Sequence, residues 1–195
     1  IAGFERIEAR SAPEDLFMFF YAGHGIVLHD EGAGQGVFHF VTPGVTQMTR
    51  RELVSRLGIS SPELSELVAR LPPRRHFMVI DACHAGAALG DFAFRGAAEE
   101  QALARLQRAS GTAMLAASRE DQFAQEFDAL GQGVLTRTVI DGLMGAAGPA
   151  EGEVTVLDIL RYADEQVPIL TAEHLGQAQY PQFFSPPQNF PVGVR

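Results

Sequence analysis

Short apolar runs alternate with amphipathic segments along this chain. Residues 16–21 (LFMFFY) and 77–80 (FMVI) have the length and composition of buried strands, and small residues follow each run closely. The group after the first run contains His24, and the group after the second contains Cys83. A third apolar run, residues 112–118, has the same design. These runs predict interior strands of a parallel sheet.

Amphipathic helices are predicted between and after these strands. Thr49 opens a capping-box pattern, and Ser60 opens a second one with proline at an early helical position. Residues 134–143 place apolar side chains on one stripe, and Thr155 is the expected cap of a last helix that Pro168 ends. The alternation of strands and helices predicts an α/β fold of three layers, α/β/α, around a mostly parallel sheet.

Two further segments are expected to form strands at the margin of the sheet. Residues 26–28 and 37–40 flank a glycine-rich stretch and predict an antiparallel hairpin. His29 and His39 belong to this hairpin and are expected to be surface side chains on an edge ribbon. The proline-rich tail is expected to add a final edge strand near Phe190.

Composition excludes several classes of function. With 195 residues, 46% of them hydrophobic, the chain is predicted to form a single domain covering residues 1–195. A net charge of −9 and a pI near 5.1 argue against nucleic acid or an anionic membrane as a partner. The single cysteine excludes an internal disulfide and a multi-cysteine metal site. No apolar run approaches the roughly 20 residues of a membrane span, and a cytoplasmic location is expected.

His24 and Cys83 are the candidate catalytic pair. Chemistry in open parallel sheets lies at the carboxyl ends of the strands, so two strands that end in these residues would bring them to one sheet edge. A neighbouring histidine stabilises the thiolate, which is the nucleophilic form of cysteine. One alternative is a cysteine packed as a small apolar side chain. Another is a zinc site that includes His84, although adjacent ligands fit tetrahedral geometry poorly.

Two stretches carry a resemblance to a known family. Residues 19–25 (FFYAGHG) and 79–86 (VIDACHAG) resemble the signature stretches of the caspase-like cysteine peptidases, and they are most similar to metacaspases and related bacterial, orthocaspase-type members. His24 precedes Cys83 by 59 positions, and the corresponding interval in caspases is about 50. Three downstream stretches also resemble bacterial members, namely AAS, GVLT and GEVT, which begin at positions 116, 133 and 152.

The resemblance implies a caspase-like fold and a cysteine endopeptidase. In this mechanism Cys83 attacks the carbonyl of the scissile peptide bond and forms a thioester. His24 protonates the leaving amine and then activates the water that hydrolyses the thioester. The oxyanion is expected to accept hydrogen bonds from the backbone N–H groups of Gly25 and Cys83. The glycines beside His24 leave space for a substrate backbone.

Asp81 indicates the substrate specificity. Residues two apart on a strand share a face, so Asp81 is expected about 6–7 Å from Cys83 on the same face. The metacaspase resemblance implies that this acid binds Arg or Lys at P1, the substrate residue before the scissile bond. The rival interpretation is that Asp81 caps a following helix. Ser118 opens a loop that resembles the family's substrate groove, and Asp121 and Glu126 are candidate acids within it.

The chain departs from the family pattern at its beginning. The first two strands of the family fold and their helices precede the histidine strand, and this chain lacks them. We expect that this opening segment was cleaved, sits on another chain or belongs to upstream sequence. The expected partner of the chain is this segment or a regulatory protein. Without it, the sheet is expected to expose an unpaired edge.

Several properties stay open at this level. The alternative function is a catalytically idle caspase-like module that binds partners, although the intact pair of His24 and Cys83 argues against it. No cofactor is required by the sequence. Some metacaspases need calcium, and the acids that would hold it are not identifiable, so calcium activation stays open. If P1 is basic, three arginines after the nucleophile are candidate self-processing sites, namely Arg95, Arg105 and Arg108.

Overall fold

A computed structural model describes the greater part of the chain. The described residues are 2–29, 36–84, 101–102, 104–106, 112–117, 133–149, 152–185 and 188–194. In chain order, the elements are α1 (Ala2–Glu8), β1 (Leu16–His29), β2 (Gly36–Phe40), α2 (Arg51–Leu57), β3 (Ile59–Ser60), α3 (Ser61–Ala69), β4 (Arg75–His84), β5 (Ala113–Ala116), α4 (Val134–Asp141), β6 (Glu153–Thr155), α5 (Val156–Leu175), β7 (Gln182–Phe184) and β8 (Pro191–Val194). A π-helical turn, Gly142–Ala146, follows α4 directly.

Six of the strands form one sheet. They are hydrogen-bonded in the order β3-β2-β1-β4-β5-β7, and β6 and β8 form a separate two-stranded sheet. β4 and β5 are parallel, with Phe77 opposite Ala113. The pairs β1–β2, β2–β3 and β5–β7 are antiparallel. Helices flank the sheet, so the predicted α/β class is confirmed.

The chain divides into two compact units. The first comprises residues 1–15, 23–74 and 82–111, and the second comprises residues 16–22, 75–81 and 112–195. A small apolar cluster in the first unit contains the buried side chains Ile26, Val45 and Val54. A larger cluster in the second unit joins β4 and β5 to α4 and α5, and includes Phe77 and Ile159, which are both fully buried. Each unit therefore buries an apolar cluster of its own.

The predicted hairpin in the first unit is confirmed. β1 and β2 pair from Gly25 opposite Phe40 to His29 opposite Gly36. His29 is exposed as expected, but His39 is buried, and its Nδ1 lies 3.0 Å from the carbonyl oxygen of Val37. The expected surface position of His39 is wrong because β3 pairs with the far side of β2, which makes β2 an interior strand rather than an edge.

The two predicted helix starts in the first unit have different outcomes. Ser60 caps α3 as predicted, and its hydroxyl accepts a hydrogen bond from the backbone N–H of Glu63 at 3.3 Å. The capping box at Thr49 is wrong: α2 has Arg50 as its N-cap and no side-chain cap. A turn closed by the N–H of Arg50 on the carbonyl of Gln47 places Thr49 before the helix.

Proline does not end the last helix as predicted. α5 continues through Pro168 to Leu175, and the cap residue Gly176 adopts a left-handed conformation with φ 72°. A proline inside a helix removes one backbone hydrogen bond. Burial compensates, because Val167 and Thr171 on either side of Pro168 are 4% and 0% exposed. The hydroxyl of Thr171 also donates to the carbonyl of Val167 at 2.7 Å.

The tail contributes two strands. β7 pairs antiparallel with β5, with Phe183 opposite Leu115, and forms one edge of the six-stranded sheet. The edge strand that was expected near Phe190 is β8, and it pairs with β6 in the small sheet instead. Phe190 itself is 7% exposed and belongs to the apolar cluster of the second unit.

Candidate active site

His24 lies inside a strand. The sequence predicted that the strand ends at this residue, whereas β1 is continuous from Leu16 to His29. The strand continues because the hairpin pairing starts at this point: the N–H of Val41 donates to the carbonyl of His24 at 3.0 Å, and Gly25 is opposite Phe40. The His24 side chain is exposed. The role of His24 as an acid–base catalyst stays a prediction.

Gly25 is held by the packing of the hairpin. The ring of Phe38 occupies the space where a Cβ on residue 25 would lie. The packing of the hairpin therefore requires glycine at this position, whether or not a substrate binds nearby. Antiparallel pairs alternate between hydrogen-bonded and non-hydrogen-bonded. The pair of His24 and Val41 is hydrogen-bonded, so the N–H of Gly25 points away from β2. This direction is towards the β4 side of β1. The role of this N–H as an oxyanion donor stays a prediction.

Cys83 is the penultimate residue of β4, which extends to His84. The sequence predicted the cysteine immediately after a strand, and the structure places it in the final residues of that strand. β4 is the direct neighbour of β1 in the sheet. His24 and Cys83 therefore lie on adjacent strands, and their action as a pair stays a prediction.

Asp81 is buried and bound to a helix. Asp81 is 8% exposed. Its Oδ2 accepts two hydrogen bonds from Thr136, one from the backbone N–H at 3.2 Å and one from the hydroxyl. A Cβ at Gly133, the N-cap of α4, would collide with this carboxylate. Asp81 thus caps a helix, as one interpretation held, but the helix starts more than 50 positions later in the chain. Its role in substrate binding stays a prediction.

The first turn of α4 suits a negative charge. Unpaired N–H groups give a helix N-terminus partial positive charge, which favours the carboxylate of Asp81. On the exposed side of the same helix, Nε of Arg137 donates to Oδ2 of Asp141 at 2.8 Å, and this hydrogen bond raises the pKa of Arg137. Arg137 is charged with or without this partner.

Several predicted residues fall outside the described part of the chain. These are Ser118, Asp121, Glu126, Arg95 and Arg108. Arg105 is described, and its guanidinium donates to the carbonyl of Gly36 in β2. Cleavage after Arg105 would first require the release of this contact, and its role as a processing site stays a prediction.

The described residues contain neither a candidate metal cluster nor a candidate membrane-spanning helix. Among them, no three His, Cys, Asp or Glu side chains cluster in an arrangement that could hold a metal ion. None of the helices in the described ranges combines the length and apolar character that a bilayer crossing requires.

The family of the chain follows from its sequence. His24 and Cys83, the only cysteine of the chain, lie on neighbouring strands of one α/β sheet. The sequence model of the caspase domain matches residues 4–190, so the chain belongs to the caspase family of peptidases. Membership of this family indicates cysteine peptidase activity in general.

Comparison with other proteins supports the fold. The crystal structure of protein GSU0716 from Geobacter sulfurreducens matches with a TM-score of 0.58 and 15% sequence identity, over 100% of this chain and 74% of that one. At this identity the similarity supports the fold alone. None of the curated proteins compared with the chain matches it.

Proposed function

We propose that this protein is a cysteine endopeptidase that cleaves peptide bonds after Arg or Lys. The observation that carries the proposal is the caspase-domain match over residues 4–190, because it spans both the strand with His24 and the strand with Cys83. The adjacency of these strands supports the pairing of the two residues. The metacaspase resemblance of the sequence around Asp81 supports the basic P1 residue.

The reaction proceeds through a covalent intermediate. The Cys83 thiolate forms a bond to the carbonyl carbon, and the negative charge that develops on the carbonyl oxygen accepts hydrogen bonds from the N–H groups of Gly25 and Cys83. His24 gives a proton to the leaving amine as the carbon–nitrogen bond breaks. His24 then takes a proton from water, which attacks the thioester and releases the acid and the thiol.

Asp81 supplies the charge that selects the P1 side chain. A buried carboxylate is a strong partner for a guanidinium or ammonium group, because little water competes with the charge-assisted hydrogen bond. Asp81 precedes Cys83 by two positions, the spacing at which a strand repeats its face. Ser118, Asp121 and Glu126 complete the proposed groove on the basis of the resemblance.

The partner of this site is a polypeptide substrate. The proposal also includes a regulatory partner or a further segment of the same protein that completes the sheet, and a cytoplasmic location. The net charge of −9 supports basic rather than acidic substrates.

A panel of fluorogenic peptides tests the proposal. Peptides that differ only at P1 (Arg, Lys, Asp, Ala) are incubated with the wild-type chain and with Cys83→Ala, with calcium and with a chelator. We expect cleavage after Arg and Lys and none by Cys83→Ala. Cleavage after Asp alone would overturn the specificity, and activity in Cys83→Ala would overturn the nucleophile.

Covalent labelling separates the proposed enzyme from an idle binding module. An arginyl chloromethylketone should alkylate Cys83 in the wild-type chain, and His24→Ala should reduce the rate because the thiolate loses its partner. A folded protein that is neither labelled nor active on any peptide would favour the idle module.

A further inference from the structure

A single residue holds the carboxylate of Asp81. Thr136 occupies the third position of α4, where the backbone N–H has no partner within the helix. This N–H and the Thr136 hydroxyl both donate to Oδ2 of Asp81. Among the described residues, these are the hydrogen bonds that the structure gives to Asp81. The orientation of the acid in β4 therefore depends on a residue of α4.

Gly133 makes the contact possible by leaving room for it. Its backbone angles, φ −62° and ψ 151°, suit any residue, so backbone conformation does not require glycine there. The requirement comes from Asp81, because both carboxylate oxygens lie where a Cβ on residue 133 would be. Gly133 and Thr136 together form a seat for the carboxylate at the start of α4.

In this seat, only one of the two carboxylate oxygens of Asp81 accepts hydrogen bonds from Thr136. Oδ2 receives both donors of Thr136, and Oδ1 receives none from the described residues. A cation that approaches Asp81 therefore meets mainly Oδ1. A guanidinium binds a carboxylate best when both oxygens are available for its two parallel N–H groups, whereas an ammonium needs only one.

We propose that Thr136 is a positioning residue that sets the P1 specificity through Asp81. By fixing Oδ2 it orients Oδ1 towards the substrate cation and reduces the advantage of Arg over Lys. This inference rests on the proposed function, since it assigns a determinant of specificity to the same site. It predicts that wild-type kcat/KM values for P1 Arg and P1 Lys differ by no more than about fivefold, because the bidentate contact that favours Arg is restricted.

Kinetics on three variants test this role. Thr136→Val is nearly isosteric and removes the hydroxyl, while Thr136→Ser keeps it. Thr138→Val is the matched control, because the buried Thr138 hydroxyl donates to the carbonyl of Val134 within α4 and does not contact Asp81. The substrates carry Arg, Lys or citrulline at P1, and citrulline is the uncharged counterpart of Arg. Circular dichroism and a thermal melt establish that each variant is folded.

The expected result is a loss of selectivity for charge. In Thr136→Val the backbone N–H still donates to Oδ2, so bidentate binding stays restricted, but the carboxylate is held less firmly. The ratio of kcat/KM for Arg to that for citrulline should therefore fall about tenfold, the effect of losing one hydrogen bond to a charged group. The loss should appear in KM, with kcat changed by less than about twofold, because Cys83 and His24 are unaltered. Thr136→Ser should recover most of the ratio, and Thr138→Val should match the wild type.

Other outcomes overturn the inference in distinguishable ways. A folded Thr136→Val with the wild-type ratio, or an equal loss in Thr138→Val, would overturn the role of Thr136 and leave the peptidase standing. Wild-type cleavage without preference for a basic P1 residue would overturn the proposed specificity together with the role of Thr136, and only the cysteine peptidase would stand. A wild-type chain that cleaves no peptide would overturn the proposed function and this inference together.

Discussion

The helices α4 and α5 begin in opposite ways. At α5, Thr155 and Asp158 cap each other: the Thr155 N–H donates to Oδ2 of Asp158 at 2.9 Å, and the Asp158 N–H donates to the Thr155 hydroxyl at 3.4 Å. At α4, the N-cap Gly133 offers no side chain, and the carboxylate of Asp81 from β4 binds Thr136 instead. One helix carries its cap in its own sequence, and the other uses a cap from a distant strand.

This difference links structure to specificity. A local cap stabilises its helix and leaves the rest of the molecule unaffected. A cap supplied by another strand also fixes the position of the residue that supplies it. In this protein that residue is the acid two positions before the proposed nucleophile Cys83, so the proposed function gives the start of α4 a role in the site that the start of α5 lacks.

Removal of the distant cap should have the largest effect. Asp81→Ala should lower the free energy of unfolding by about 2–3 kcal/mol, because both donors of Thr136 lose their acceptor in a part-buried position. Urea denaturation measures this change. Asp164→Ala, at an exposed position of α5, is the control and should have almost no effect. An equal effect for both variants would show that the seat at α4 contributes nothing specific.

The substitution Gly133→Ala, which places a methyl group against the Asp81 carboxylate, tests the same contact from the side of α4. At the backbone angles of Gly133, alanine would by itself stabilise the protein by about 0.4–1 kcal/mol. The collision with the Asp81 carboxylate should reverse the sign, so we expect Gly133→Ala to destabilise by about 1–2 kcal/mol. Gly3→Ala in α1 is the control, because nothing lies near its Cβ position. A stabilised Gly133→Ala protein would contradict the proposed seat.

Removal of the local cap should have the smallest effect. Thr155→Ala should destabilise the protein by about 1 kcal/mol, the usual cost of losing an N-cap hydroxyl, and Thr155→Ser should restore most of it. The ratio of cleavage after Arg to cleavage after citrulline should not change, because Thr155 has no contact with Asp81. Thermal melts and the same peptide kinetics measure both quantities. A change in selectivity as large as that of Thr136→Val would abolish the distinction between the two helices.

Local patterns predicted most of the elements that position the candidate site. The apolar runs before His24 and Cys83 are strands, and these strands are neighbours in the sheet. Ser60 and Thr155 cap their helices as predicted, because a hydroxyl and the N–H group that it binds are three residues apart. Information of this kind is contained within one helical turn.

Other features depend on residues that are distant in sequence. The seat of Asp81 at Thr136 joins residues 55 positions apart, and the only sequence signal for it is a helix start that lacks a capping side chain. His39 is buried because β3 covers the outer edge of its strand, and α5 continues past Pro168 because its neighbours are packed in the core.

The sequence by itself therefore determined the fold class, the two candidate catalytic residues and the strands that carry them. These follow from hydrophobic periodicity and from local backbone chemistry, which act over a few residues. Only the tertiary structure decided which helix holds the proposed specificity acid and by which atom. That choice results from the packing of α4 beside β4, and packing brings together groups whose separation along the chain gives no pattern to detect.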